Sequence, residues 1–480
     1  MSPCGWQRRT WAYDAVGQVK TLTYGNTARA TYTYDSTART TGIRHSKSDG
    51  TLLAGYEYSY SSAGIPTGVV EGNGDRVTWT YDSAYRLTRE QRSGTNAYDL
   101  TYTWDGAGNR LTKLASGTTT TYTYNAGDAL TLENAAGTLT TLAYDNAGNT
   151  STQDAAGSVT TYSWDDENRM TGIVLPSGGG TWTMAYNANG LRREKQAAAS
   201  TTRFVWDDER LLQETDGSNA TQAQYTSGLG TYGPTVSQRR GTASSFLHGS
   251  LLGTIEGLTA ADQSVSDTYI LDAWGNQLAS SGSTVNPHRY VGALGYYTEP
   301  SLSLNYVRAR WLSPGAGRWL AVDPMAGEPR YGYAHGRAMG VVDASGRQPF
   351  LGPPITGVSI ISFPISLWYE ASRKEKELRH GWELISYDGL FTMVECIYKW
   401  SRRFEVTRVM QRDWVTVRWS FGHPKPELVY WSESKTFVTI EDRHIRWLTK
   451  KLHFTVGDPV AEAWFRFSKC VDAAPKWDPV

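Results

Sequence analysis

Apolar and polar positions alternate in short runs over the first three hundred residues, and the runs break at regular places. The stretch TYTWDGAGNRLTKL, residues 101–114, shows the unit. Thr101 to Trp104 are β-branched or aromatic, Asp105 to Asn109 carry turn chemistry, and Arg110 to Thr112 resume an extended pattern. This predicts strand, turn, strand. The unit recurs, anchored by an aromatic followed by Asp or Asn: Tyr13, Tyr34, Tyr81, Trp104, Tyr124, Tyr144, Trp164, Tyr186 and Trp206. Tyr60 fills the gap in the series, with Ser61 where the acid belongs. Counting Tyr60, the successive spacings are 21, 26, 21, 23, 20, 20, 20, 22 and 20. A period of about 20 suits two strands of about 5–8 residues and two short turns, stacked as antiparallel hairpins. The aromatic is expected to fill one sheet face, Asp or Asn to close the turn on its own backbone, and Gly to take a positive-φ position. A carbohydrate-binding use of the aromatic ladder stands beside the stacking of one repeat on the next.

The pattern stops near residue 348. Of the 48 glycines, 42 precede that point, whereas residues 348–480 hold nine of the 19 tryptophans and carry 19 Lys plus Arg against 16 Asp plus Glu. The uncharged stretch 348–369 has the length of a membrane span. Pro353, Pro354 and Pro364 argue against a stable helix there, and a Pro-containing linker is expected instead. ASRKEKELRH, 371–380, predicts a short solvated helix. Val394, Cys396, Tyr398 and Trp400, then Val415, Val417, Trp419 and Phe421, alternate as strands do. The tail is expected to be a small β-rich or α+β domain with one or two helices.

Composition narrows the chemistry. Lys plus Arg and Asp plus Glu are both 47 in 480 residues, so no whole-chain charge drives binding to nucleic acid or an anionic membrane. Cys4, Cys396 and Cys470 are scattered, with no C-x-x-C, which removes disulfide-framework, zinc-ribbon and thioredoxin readings. No H-E-x-x-H occurs either, and no metal or cofactor is expected. In the tail, His380, His423, His444 and His453 with Glu395, Glu405, Glu433 and Asp442 could form a metal-independent nuclease site, or be ordinary surface residues. The Arg/Trp interleaving of RRFEVTRVMQRDWVTVRW fits a nucleic-acid groove less well than alternating solvated and core faces. The first residues lack an apolar h-region, so no ordinary secretory signal is expected, and the chain starts inside the repeat as a piece of a longer protein would.

The repeated Y/W-D-x-x-G-N/R-L/M unit resembles the Rhs or YD-repeat family. Residues 248–278 are similar to that family's last repeat, and NPHRYVGALGYYTEPSLSLNYVRARWLSPGAGRWLAVDP, 286–324, is similar to its repeat-associated core. Tyr306, Arg308, Ala309, Arg310, Trp311, Pro314, Gly317, Arg318, Trp319, Asp323 and Pro324 sit at the matching places. The resemblance implies a mainly β fold: a spiralling antiparallel β-shell over 1–247, a core plug over 248–347, and a variable C-terminal domain, a toxin or effector, over 348–480. It also implies export and release of that domain in competition between bacteria, an immunity protein for the tail, and a secreted or cell-surface location by a specialised route. A non-toxic adhesive or carbohydrate-binding YD-repeat protein is the alternative.

In toxin members the core ends in an intramolecular aspartyl protease. The resemblance carries Asp323 and Asp343 over as the catalytic pair, with Arg310 or Arg318 setting their charge balance, and puts the scissile bond between Arg347 and Gln348. Two carboxylates held together cannot both ionise easily, so one keeps a proton while the other activates water. The chain departs from the family at Ala338 and Ala344, where proline is usual, at Ala326, where glycine is usual, and at Arg347, where leucine is usual. Losing the prolines is expected to free the turn at the bond.

Geometry sets one more expectation. A folded 133-residue tail needs a sheet of about 9,800 Å² around it, whereas residues 1–347 cover at most about 5,500 Å² as strand. A curved, incomplete shell is expected, with an open edge near residue 10 where further repeats or a partner subunit would pair.

Overall fold

The computed structural model describes residues 9–197, 200–228, 230–324, 329–347 and 350–351, and, as backbone alone, six strands between Leu367 and His453. The chain forms two compact units, Met1–Ser359 and Ile360–Val480.

The first unit is built on one antiparallel sheet of 26 strands, running from Thr10–Tyr13 to Gln277–Ser281. Each strand pairs with the one before it and the one after it, as in Thr118–Tyr124, Leu130–Ala135 and Thr138–Tyr144. Among the described residues Thr10–Tyr13 pairs only with Val19–Thr23, and Gln277–Ser281 only with Val265–Leu271, so the sheet is not closed into a barrel. Side chains alternate as the sequence pattern requires. In Arg76–Tyr81, Val77 and Trp79 are buried while Arg76, Thr78 and Thr80 face solvent.

The anchor aromatics do more than fill a face. Each stands at the end of its strand, where a bulge shifts the register, as between Thr123 and Tyr124 or Ala143 and Tyr144. In every anchor except the half-exposed Tyr13, the ring lies over the preceding repeat and its polar tip donates to a backbone carbonyl there. The Tyr hydroxyls of Tyr34, Tyr81, Tyr124, Tyr144 and Tyr186 reach Val19, Pro66, Arg110, Leu130 and Met170 at 2.6–2.9 Å. The indole Nε1 groups of Trp104, Trp164 and Trp206 reach Leu87, Thr150 and Arg192 at 2.7–2.9 Å. Tyr60 does the same to Thr40 at 2.5 Å. This explains why the anchor is Tyr or Trp and never Phe: a donor at the ring's far end satisfies a carbonyl where the bulge interrupts the ladder.

The turns follow one plan. In the turn after Tyr144, Asp145 Oδ1 accepts from the amides of Ala147 and Asn149 at 3.0 and 2.8 Å, and Asn149 Nδ2 donates to Oδ2 at 3.0 Å. Ser61 Oγ accepts from the Ile65 amide at 3.2 Å, so serine does the acid's work in the odd repeat. The fourth turn residue takes positive φ, but glycine does not always hold it. Gly108 and Gly148 do, whereas Ala38, Tyr85, Asp128 and Asn168 adopt φ of 59–66° at the equivalent place.

The inner side of this wall is covered by further chain. A small four-stranded sheet, Tyr297–Glu299, Leu304–Val307, Arg310–Ser313 and Arg318–Trp319, lies against it. Tyr297, Leu304, Tyr306 and Trp311 pack with Tyr162, Met170, Ile173, Trp182, Phe204 and Tyr225 of the wall. Buried Arg192 holds the two layers together: it pairs with Glu299 at 2.8 Å and stacks on Tyr306 and Phe204 at 4.4 and 4.5 Å. Lys195 meets the same carboxylate at 2.9 Å.

Early and late repeats of the wall also meet. His45 Nε2 lies 3.0 Å from the Gly249 carbonyl, His45 Nδ1 lies 3.1 Å from His248 Nδ1, and His248 Nε2 lies 2.8 Å from Thr259 Oγ1. The carbonyl can only accept, so His45 carries its proton on Nε2. His45 Nδ1 then accepts from His248 Nδ1–H, and His248 Nε2 accepts from the Thr259 hydroxyl. Burial lowers the pKa of both rings, which keeps them neutral near pH 7. Tyr24, Tyr56 and Phe246 pack around them, and no carboxylate touches the pair among the described contacts.

The second unit has two three-stranded antiparallel sheets. Leu367–Lys374, Glu405–Arg418 and Glu427–Ile440 form one; Glu383–Asp388, Met393–Trp400 and Arg446–His453 form the other. The β-rich expectation stands in the backbone. The helix expected over 371–380 does not stand for 371–374, which lie in a strand whose residues 372–374 pair with 407–409. Charged helix-formers there yield to strand pairing, because propensity is a weak prior beside tertiary partners. Residues 375–380 and 352–366 lie outside the described residues. Among the described residues no helix is long and apolar enough to cross a membrane.

Candidate cleavage junction

The strand Arg310–Ser313 and the turn after Val341–Val342 bring three of the expected residues together. Arg310 Nη1 lies 2.6 Å from Asp323 Oδ2, and Arg310 Nη2 lies 3.0 Å from Asp343 Oδ2. All three side chains are at most 3% exposed. One guanidinium thus bridges both carboxylates and offsets the repulsion between them. Burial pulls the pKa of Arg310 down, and the two carboxylates oppose that pull. Its plane stacks on Trp319 at 4.2 Å, and Nε donates to the Gly346 carbonyl.

Arg318 is not part of this group. It stacks on Tyr124 and Tyr331 at 4.7 and 5.3 Å and donates to the Asp128 carbonyl, so it fastens the core to a wall turn.

The turn carrying Asp343 is fixed without prolines. Asp343 Oδ1 accepts from Ser345 Oγ at 2.9 Å and from the Arg347 amide at 3.1 Å. Arg308 donates to the Ala344 carbonyl, and the Ala309 amide donates to the Ser345 carbonyl at 3.3 Å. Gly346 sits at φ +69°, and a Cβ there would meet the Val307 carbonyl at 2.1 Å, so no other residue fits. Ala338 and Ala344, the positions lacking proline, are fully buried. Hydrogen bonds and burial replace the ring's constraint. Ala326 and Gln348 lie outside the described residues.

Tyr296 and Gly346 were not singled out from sequence, and Arg308 was named only as a match to the core motif. The Tyr296 hydroxyl donates to the Asp343 carbonyl at 2.8 Å and accepts from the Asp343 amide at 3.0 Å. Burial raises its pKa well above the ordinary value, which keeps it a neutral hydroxyl able to do both. The only sequence signal for Tyr296 was its place in the aromatic-rich GYYTEP run.

The RHS Repeat profile matches residues 144–179, and the Teneurin YD-shell profile matches residues 1–91. Residues 1–91 and 144–179 are thus repeats of the Rhs/YD kind. A curated relative of this Rhs/YD-repeat chain is the tRNA3(Ser)-specific nuclease WapA of Bacillus spizizenii, 30% identical over 132 residues, which are 26% of this chain. The match spans 6% of that relative's length. Among solved structures, TcdB2-TccC3 without its hypervariable C-terminal region matches over 70% of this chain and 21% of that chain, at 15% identity and a TM-score of 0.46. A Tc holotoxin pore of Photorhabdus luminescens matches over 74% and 22%, at 17% identity and a TM-score of 0.40.

Proposed function

We propose that this Rhs/YD-repeat chain is a shell segment whose core severs its own C-terminal domain at Arg347–Gln348. The observation that supports it is the Asp323–Arg310–Asp343 bridge, buried, with the Asp343 carboxylate bonded to the Arg347 amide one residue before the bond. In the cut, one carboxylate takes a proton from water and the hydroxide adds to the Arg347 carbonyl carbon. The other carboxyl gives its proton to the Gln348 nitrogen as the C–N bond breaks. The products are a new carboxylate at Arg347 and a free amine at Gln348, and the added water accounts for every atom. Arg310 holds the two acids in register throughout.

The released residues 348–480 act, in this reading, as an effector in competition between bacteria, exported to the surface or medium and held off in the producer by an immunity protein. The relative named a tRNA nuclease lends the toxin reading its direction. The open strand Thr10–Tyr13 is the edge on which further repeats or a partner subunit add. Intact mass of the purified chain tests the cut. Two fragments meeting at Arg347–Gln348, lost in both Asp323→Asn and Asp343→Asn, are expected. An uncut wild type from pH 4 to 8 overturns the protease. Residues 348–480 expressed alone should arrest bacterial growth; normal growth with abundant soluble tail overturns the effector reading.

A further inference from the structure

The turn at Asp343 is built like the turns of the wall. Asp343 Oδ1 accepts the amide four residues on, as Asp145 Oδ1 accepts from Asn149 and Asp165 Oδ1 from Arg169. The Gly346 amide returns to the Asp343 carbonyl at 3.3 Å, as the Gly148 amide returns to Asp145 at 3.0 Å. Gly346 and Gly148 share positive φ. The junction is therefore one more repeat turn, placed in the core instead of the wall.

The difference lies in the second carboxylate oxygen. In six wall turns the side chain four residues on closes over Oδ2: Arg39 on Asp35 and Arg86 on Asp82 at 2.6 Å, Arg169 on Asp165 and Asn276 on Asp272 at 2.8 Å, and Asn109 on Asp105 and Asn149 on Asp145 at 3.0 Å. At the junction, Oδ2 accepts from Arg310, 33 residues away. The residue four on is Arg347, exposed, with its guanidinium directed toward Gly190 and Glu209 of the wall.

We infer that residue 347 is a positioning residue that permits cutting by keeping its head off Asp343 Oδ2, which leaves that oxygen to Arg310 and so to Asp323. This rests on the self-cleavage reading above. A side chain that closes the turn locally, as asparagine does at 109, 149 and 276, would take Oδ2 from Arg310 and separate the two acids. A side chain with no polar head would not. The wall turns fill both carboxylate oxygens by the same device from within their own five residues, and Asp272 has the Lys113 ammonium beside it as well, at 3.7 Å.

The test compares Arg347→Asn and Arg347→Leu in the full chain, following the cut by intact mass over time and the fold by thermal midpoint. Wild type and Arg347→Leu are expected to cut within about twofold of each other. Arg347→Asn is expected to cut at least about tenfold more slowly with an unchanged midpoint, because asparagine already serves this turn elsewhere in the chain. Equal cutting by wild type and Arg347→Asn overturns the inference and leaves the protease standing. A slow Arg347→Asn with a lowered midpoint also overturns it, since the fold would then be the cause. Cutting by Arg347→Leu alone supports control by residue 347 and overturns the protease for the natural chain. No cutting by wild type or Arg347→Leu overturns both.

Discussion

The turn acids of the wall and the buried charges of the core find their partners over different distances. In the wall, Asp35, Asp82, Asp145 and Asp165 find every partner within four residues. In the core, Arg310 reaches Asp343 across 33 residues, Arg192 reaches Glu299 across 107, and Arg308 reaches the Glu209 carbonyl across 99. A turn that closes on itself can be copied along the chain at will. A core whose charges meet only in the folded state forms once. The wall can thus tolerate Tyr85 or Asn168 where glycine is usual, whereas Gly346 has no substitute.

The sharpest break of this comparison is Arg310→Met. It strands two buried carboxylates, and the expected loss is about 3–5 kcal/mol of stability together with all self-cutting. Urea denaturation of the full chain measures it; a loss below about 1 kcal/mol would mean the core charges are as locally supported as those of the wall.

Acid should find the meeting of early and late repeats next. Burial lowers the pKa of His45 to about 4 and pushes that of His248 well below its ordinary value. The unfolded chain binds protons near pH 6.5, so it holds more protons than the native form between there and pH 4. Stability is complete above about pH 6.5 and falls as pH falls toward 4. At pH 5 the expected loss from His45 is about 2 kcal/mol, and His248 adds to it in the same direction. A His45→Gln/His248→Gln variant should show a flatter decline between pH 7 and 5; an unchanged decline would assign the acid response to other groups.

A smaller effect tests the wall's periodic device. Tyr144→Phe removes the hydroxyl from the Leu130 carbonyl and should cost about 1 kcal/mol. Adding Tyr186→Phe, which acts on Met170, should double the loss, because the two tips share no partner. A change near zero for both would show that ring burial alone explains the anchor. The smallest change has the opposite sign. Ala38 holds φ +66° in an exposed turn, and Ala38→Gly should gain up to about 1 kcal/mol in thermal or urea midpoint.

The repeats were legible because their physics is local. An aromatic, an acid and a small residue at fixed spacing specify a bulge, a closed turn and the next strand without reference to the rest of the chain. That is why the strands and their antiparallel order follow from residues 10–281 as written. Asp323, Asp343 and Arg310 were legible only through resemblance, since nothing in their own neighbourhoods marks them as partners. Arg318, equally plausible in sequence, lies on Tyr124 and Tyr331 instead.

Which arginine bridges the acids and how His45 meets His248 were decided by tertiary structure alone. Each depends on a donor and an acceptor brought together by the curvature of the whole sheet. A pairing across 203 residues leaves no periodic trace in either partner's surroundings. Local hydrogen bonds write themselves into the sequence as spacing; distant ones exist only once the wall has turned back on its own core.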